Sequence, residues 1–238
     1  MKLAQATASA RVRAVACHTL VRSLPFACVA DGAGTTALQV LASRRGDCHT
    51  KGTLMVALLR SLAIPARLRF VTMKADFLHG LADLRGQPIE HACTEVLLEG
   101  GWVALDSYVV DPWLALAARA QLRLERRSLG YGMHLEGSTD WDGHGDSFSQ
   151  FTPDDPDSMP LHDWGVFDDA HQFYSSVPYV RQRLSLTGRL KWRVGAALVN
   201  RRVAALREQR PAPAATRGKE AATAATAPSA RPGNRPRP

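Results

Sequence analysis

The sequence lacks any apolar run long enough to cross a membrane, and it is poor in cysteine. No stretch approaches about 18 consecutive apolar residues, and Arg11 and Arg13 interrupt the segment where a secretory signal would need its apolar region. The four cysteines form no Cys-x-x-Cys pair, and their spacing fits no zinc module. We therefore expect a cytoplasmic protein without structural disulfides, metal or cofactor.

Positive charge is scarce over most of the chain and concentrated at its C-terminal end. The formal net charge is +8, but residues 181–238 contain 14 Lys and Arg against two acidic residues, whereas residues 1–180 contain 16 basic and 20 acidic residues. A nucleic-acid-binding surface spread over the whole protein is therefore excluded, and no nucleic-acid partner is expected. Apolar residues make up 45% of the chain, which is enough for a core of ordinary size.

The first half of the chain mixes helical periodicity with runs typical of strands. Asp47 is a suitable N-cap for the strongest predicted helix, and Pro65 ends that helix. The predicted helices are residues 9–24, 36–42, 47–63 and 113–127, with a strand at 67–72 and a β-hairpin at 91–108.

The rest of the chain is predicted to be less regular. Residues 137–169 contain nine Asp and several aromatic residues, and they read as a long irregular excursion. Its aromatic side chains either complete the core or form a lid over a site. Residues 211–238, rich in Ala, Pro, Thr and Arg, are predicted to be a disordered tail. We expect one domain over residues 1–180, with a motif core at 10–112 and a loop-rich extension at 113–180.

A basic helix is predicted over residues 178–208. In the predicted domain organisation, residues 181–210 are the basic unit between that domain and the tail. It either packs through apolar side chains with a solvated basic face, or it makes a weak contact with an anionic membrane or an acidic partner. The apolar side chains predicted to pack are Val180, Leu184, Leu190, Val194, Leu198 and Val203.

Cys48 is the cysteine whose local sequence suggests chemistry. A thiol attacks as its thiolate, so a nucleophilic cysteine needs a lowered pKa. Cys48 lies in the first turn of the predicted 47–63 helix, where backbone N–H groups and the helix dipole favour an anion. A nearby imidazole would complete a thiolate–imidazolium pair. His49 points about 100° away around the helix, so we expect the imidazole to come from elsewhere in the fold.

The predicted hairpin can supply that imidazole. A two-residue loop at Glu99 and Gly100 would pair Cys93 with Asp106, and it would place His91 on the same face of the sheet. His91 and Asp106 would then be diagonal neighbours, with Cβ atoms roughly 5.5–8 Å apart. A shift of one residue would separate them. The spacing permits a His–Asp pair, but it is also compatible with ordinary structural roles for these residues.

Two stretches carry a resemblance to a known family. GDCHTKGTLMVALLRSLAIPARLRF at residues 46–70 and EHACTEVLLEGGWVALDSYVVDP at residues 90–112 resemble the nucleophile and histidine segments of the transglutaminase-like superfamily. The resemblance implies Cys48 as nucleophile, His91 as base and Asp106 as the residue that orients the base. Cys93, where the family often has Trp, and Ala63, where it usually has Gly, depart from its pattern.

The resemblance also implies a fold and a reaction class. The fold would be a papain-like α+β core, with the cysteine helix on an antiparallel sheet. The reaction would be acyl transfer through a thioester on a peptide, protein or amide substrate, with hydrolysis favoured over amine transfer. A non-catalytic scaffold is the alternative from another class. For the oxyanion donor, the side chain of Gln39 and the backbone N–H of Cys48 are candidates, and the oligomeric state stays open.

Overall fold

The computed structural model describes residues 8–177 and 185–209. The predicted tail and the first residues of the predicted basic helix lie outside these ranges. The α-helices are α1 (Ala10–Ser23), α2 (Ala37–Ser43), α3 (Cys48–Ser61), α4 (Pro112–Glu125), α5 (Ala170–Ser176) and α6 (Leu186–Glu208). The strands are β1 (Ala66–Met73), β2 (Ile89–Leu98), β3 (Gly101–Leu105), β4 (Leu129–Gly130), β5 (Met133–His134) and β6 (His162–Phe167). Short 3-10 helices lie at Ala75–Leu78 and Pro156–Ser158.

The main sheet has four strands in the order β3-β2-β1-β6, and each neighbouring pair is antiparallel. Helix α3 packs against β1 and β2, and helices α1 and α2 lie on its other sides. The predicted hairpin register is confirmed, since Leu98 pairs with Gly101 and the ladder continues to Thr94 and Leu105. The mixed helix and antiparallel sheet confirm the predicted α+β class.

Helix α3 begins as the sequence predicts. The Asp47 side chain accepts a hydrogen bond from the backbone N–H of Thr50, and the Thr50 hydroxyl accepts one from the N–H of Asp47. This reciprocal cap satisfies two amides that a helix start would leave unpaired. Ala63, which follows the helix, adopts a left-handed conformation with φ of 57°. A side chain there costs roughly 1–2 kcal/mol, which explains why a glycine suits the position.

The excursion at 137–169 is mostly irregular, as predicted, but its end forms a strand that the sequence did not reveal. β6 joins the main sheet beside β1, and the register shifts between Phe70 and Val71. The strand could not be predicted from the sequence because Gly165 and the acidic residues around it are poor strand formers. Phe167 packs edge-on against Phe70, and Phe173 of α5 stacks on Phe70 with ring centroids 3.9 Å apart. These aromatic side chains complete the core.

Helix α6 turns a different face to the protein from the one predicted. Leu190, Val194 and Leu198 are 65%, 57% and 56% exposed, so the prediction that they pack is wrong. The prediction is confirmed for Val203, which is buried together with Ala196, Val199 and Leu206, whereas Val180 and Leu184 lie outside the described residues.

Among the described helices, none combines the length and apolar content needed to cross a bilayer.

Polar anchors fix this orientation of α6. The Asn200 amide exchanges two hydrogen bonds with the backbone of Cys28, at 2.8 and 2.9 Å. The Arg202 guanidinium donates to a backbone carbonyl, and Arg207 pairs with the buried carboxylate of Asp111. Arg207 is therefore half-buried, whereas the other described basic side chains of the helix are exposed, as the predicted solvated face requires: Lys191, Arg193, Arg201 and Arg202. A pattern of apolar spacing cannot reveal the inward bonds.

Candidate active site

Cys48 is the first residue of α3, and its side chain is partly exposed. The Asp47 carboxylate holds the entry to the helix by accepting hydrogen bonds from the N–H groups of Thr50 and Val29. Cys48 therefore lies in the first turn of a capped helix, where the helix dipole favours a negative charge.

His91 and Asp106 meet on one face of the sheet, as their spacing indicated. His91 lies near the start of β2, Asp106 directly follows β3, and both are fully buried. The distance between His91 Nε2 and Asp106 Oδ2 is 2.8 Å. The backbone N–H and the hydroxyl of Ser149 both donate to the other carboxylate oxygen of Asp106. Because Nε2 bonds to Asp106, Nδ1 is the nitrogen of His91 that can accept a proton from the thiol.

The surroundings of Cys48 favour its thiolate. Burial raises the pKa of the thiol, but the neighbouring rings of His49 and His91 outweigh burial and lower it to about 6. Burial also opposes a charge on His91, whereas Cys93, Cys48 and the bond to Asp106 raise its pKa well above the usual value. The two shifts describe one state, a thiolate beside an imidazolium.

The other cysteines show the opposite behaviour. Burial raises the pKa of Cys17 and of Cys28, and it raises the pKa of Cys93 to about 11. Cys93 nonetheless lies beside His91, so the thiol in the family's usual tryptophan position touches the proposed base. Cys48 is thus the cysteine whose pKa favours reaction near neutral pH.

A second imidazole at the sulfur was missed in the sequence. His49 lies against Cys48, so the expectation that it points away from the thiol is wrong. Its Nδ1 is 2.9 Å from the hydroxyl oxygen of Tyr174, and its ring lies 5.2 Å from that of Phe70. Cys48 and His49 point about 100° apart around the helix, but the imidazole side chain is long enough to reach back to the sulfur across the first turn.

Gln39 does not serve as the expected oxyanion donor. Its side chain is exposed and accepts a hydrogen bond from the N–H of Thr36, where it completes the cap of α2. Gln150, by contrast, is 2% exposed and lies in the same cavity wall as Cys48. Its Oε1 has no hydrogen-bond partner in the described part of the chain. No sequence signal distinguished Gln150 from the other polar residues of the excursion.

The same residues could in principle hold a cation. Ligand atoms of His91, Cys93 and Asp106 lie within 4.8 Å of one another. The hydrogen bond between His91 and Asp106 already uses one nitrogen and one oxygen of this group, and a metal would need Cys93 as a thiolate against its raised pKa. The donor set therefore fits a hydrogen-bonded His–Asp pair better than a metal site.

A cavity of about 290 Å³ opens beside Cys48. Its walls come from α3, from the turn at 77–84, from the start of β2 and from α6. His49 and Tyr174 line this cavity together with Cys48, whereas His91 is fully buried and does not line it. A carbonyl group that reaches Cys48 from this cavity would therefore meet His49 as well as the thiol.

The geometry agrees with the family comparison. Residues 3–107 match the model of the transglutaminase-like superfamily, just under half of the chain. The resemblance seen in the two sequence stretches is thereby confirmed over this segment. The match supports a cysteine-dependent enzyme in general.

Part of the chain is also similar to a solved structure. A crystal structure of a candidate cysteine protease from Cytophaga hutchinsonii is 25% identical, and the likeness covers 43% of this chain and 32% of that one. The chain thus spans about a third of that protein, and the TM-score of 0.31 carries no argument about fold or reaction. A comparison with curated proteins gives no match.

Proposed function

We propose that this protein is a cysteine-dependent acyl-transfer enzyme that hydrolyses a peptide or amide bond. The observation that carries the proposal is the partly exposed thiol of Cys48, whose pKa lies near 6 beside His91, while His91 is bonded to Asp106 at 2.8 Å. A thiol, a base and a residue that orients the base are the groups that acyl transfer requires.

The reaction would proceed in two halves. The Cys48 thiolate attacks the carbonyl carbon and forms a tetrahedral oxyanion, which collapses as the C–N bond breaks. The amine leaves with the proton of the His91 imidazolium, and a thioester remains on Cys48. Water then gives a proton to His91 and attacks the thioester, which releases the carboxylic acid and restores the thiolate–imidazolium pair. Asp106 keeps the His91 ring in the required tautomer throughout.

The oxyanion needs hydrogen-bond donors at the cavity face of Cys48. The backbone N–H of Cys48, at the start of α3, is one candidate. The side-chain N–H group of Gln150 is the other, because this buried side chain lies in the cavity wall with Cys48. Gln150→Ala should then lower kcat by about 10²–10³-fold, the usual effect of losing one such donor.

The deciding experiment compares two cysteines that line the same cavity. Cys48→Ala and Cys28→Ala both remove a small thiol from its wall. Turnover on a library of fluorogenic peptide amides should vanish in Cys48→Ala and persist in Cys28→Ala, with both variants folded by circular dichroism. Full turnover in Cys48→Ala would refute the proposal.

A further inference from the structure

The cavity beside Cys48 is more than an opening to the sulfur. Its wall is mainly apolar, and its volume of about 290 Å³ is close to the lower end of the range for small-molecule sites, about 300–1,000 Å³. Phe77, Leu81 and Ile89 line one side, and all three are otherwise part of the buried core. An apolar group that enters such a cavity removes apolar surface from water, which favours binding.

Helix α6 closes the opposite side of this cavity. Trp192, Gly195, Val199 and Arg202 all line it, and their spacing of three and four residues places them on one face of the helix. The indole N–H of Trp192 donates to a backbone carbonyl at 2.9 Å, which fixes the ring in the wall. Helix α6 lies outside the segment that matches the superfamily, so this wall belongs to the chain's own extension.

The charged groups of the cavity restrict what can enter it. Asp47, Asp83 and Glu90 contribute three carboxyl groups to the wall beside the Cys48 thiolate, and Arg202 and His49 contribute two cations. Glu90 is 3% exposed. An anionic group would therefore meet net negative charge, part of it on the buried carboxyl groups of Asp47 and Glu90, where repulsion is poorly screened. The mainly apolar lining favours a neutral group over a cationic one.

We infer that this cavity binds a neutral apolar group attached to the carbonyl that Cys48 attacks, and that helix α6 sets the size of that group. The inference rests on the proposed function, because it takes Cys48 as the reacting atom. It adds a substrate class: acyl compounds or peptides with a medium-sized aliphatic or aromatic group on the acyl side. Small acyl groups such as acetyl would leave the cavity empty and react more slowly.

Gly195 offers a direct way to fill the cavity. It lies in the wall, and a Cβ added there meets no atom within 4 Å. Gly195→Leu should therefore narrow the cavity without a clash, and it should also strengthen the helix, since glycine is a poor helix former. Ala197→Leu adds a comparable side chain on an exposed position of the same helix, and it is the matched control.

The test measures alkylation of Cys48 and needs no substrate. Iodoacetamide, N-butyl iodoacetamide and N-hexyl iodoacetamide are reacted with the full chain, each rate is divided by the rate with glutathione, and labelled cysteines are mapped by mass spectrometry. The N-hexyl probe should label Cys48 at least tenfold faster than iodoacetamide, since each buried methylene should increase binding to the cavity, and with it the labelling rate, severalfold. Gly195→Leu should remove the difference between the N-hexyl and iodoacetamide rates, whereas Ala197→Leu should keep that difference and the iodoacetamide rate.

Two other outcomes separate the inference from the function beneath it. Equal rates along the probe series at a reactive Cys48 would overturn the inference alone, as would a gain that persists in Gly195→Leu or that falls on Cys28. An N-carboxypentyl probe that gains as much as N-hexyl would also overturn it, because the proposed group is neutral. If iodoacetamide labels Cys48 no faster than Cys28, the proposed function fails as well.

Discussion

The second imidazole at Cys48 leads to a sharp prediction about the pH dependence of the thiol. His49→Phe removes a positive charge beside the sulfur but keeps a ring of similar shape against Phe70 and Tyr174. An opposite charge at this range shifts a pKa by about 1–3 units. Because His91 remains in place, we expect the loss of His49 to raise the pKa of Cys48 from about 6 by roughly one unit.

The sign of the effect follows from the reactive form. Only the thiolate reacts, so a higher thiol pKa reduces reactivity at low pH and leaves it unchanged once the thiol is fully ionised. At pH 6 the thiolate fraction of Cys48 should fall from about one half to about one tenth, a loss of roughly fivefold in labelling rate. At pH 8.5 the parent and His49→Phe should react at nearly the same rate.

Iodoacetamide labelling from pH 4.5 to 9, followed by mass spectrometry, gives the midpoint for Cys48 directly. Cys28 in the same sample is the internal control, because burial raises its pKa and its labelling should stay slow in both proteins. Identical midpoints for Cys48 in the parent and in His49→Phe would show that His49 does not stabilise the thiolate. Turnover at pH 8.5 separates the two imidazoles, since it should survive His49→Phe and be lost in His91→Phe.

Three further substitutions test the network around the site. Asp106→Asn should lower kcat by about 10⁴-fold with little change in the melting temperature, because it favours the wrong tautomer of His91; a loss below tenfold would contradict that role. Ser149→Ala removes one of two donors to Asp106 Oδ1, so kcat should fall by about tenfold with KM unchanged. Arg207→Ala leaves a buried carboxylate without its cation, and urea titration should show a loss of about 2 kcal/mol, whereas no change would mean that the pair does not anchor α6.

Local signals predicted the part of the site that lies on two neighbouring elements. Asp47 caps α3 as its residue type indicates, and the turn at Glu99 and Gly100 sets the hairpin register that brings His91 and Asp106 together. Such features depend on a few consecutive residues. A capping pattern or a two-residue turn is therefore visible in the sequence.

Contacts between residues far apart in the chain could not be predicted from the sequence. Ser149 reaches Asp106 from 43 residues along the chain, and Tyr174 reaches His49 from 125 residues away. Lys51, which its residue type would place in solvent, is fully buried, and its ammonium donates to two backbone carbonyls. Each of these depends on how the excursion, α5 and the loops fold over the core, and no periodicity records that.

The polar groups buried around Cys48 argue for a working nucleophile over a scaffold. His91 Nδ1 and His49 Nε2 are buried, and the partner left for each within residues 8–177 and 185–209 is the sulfur of Cys48. A neutral thiol is a weak hydrogen-bond partner, so both nitrogens are poorly satisfied unless Cys48 is a thiolate. An unsatisfied buried group costs about 1–3 kcal/mol, and a folded domain is stable by only about 5–15 kcal/mol. Apolar side chains of similar size would remove that cost and keep the packing. A domain selected for stability alone has no use for two such rings beside the thiol of lowest pKa, whereas an enzyme needs both nitrogens for protons and charge.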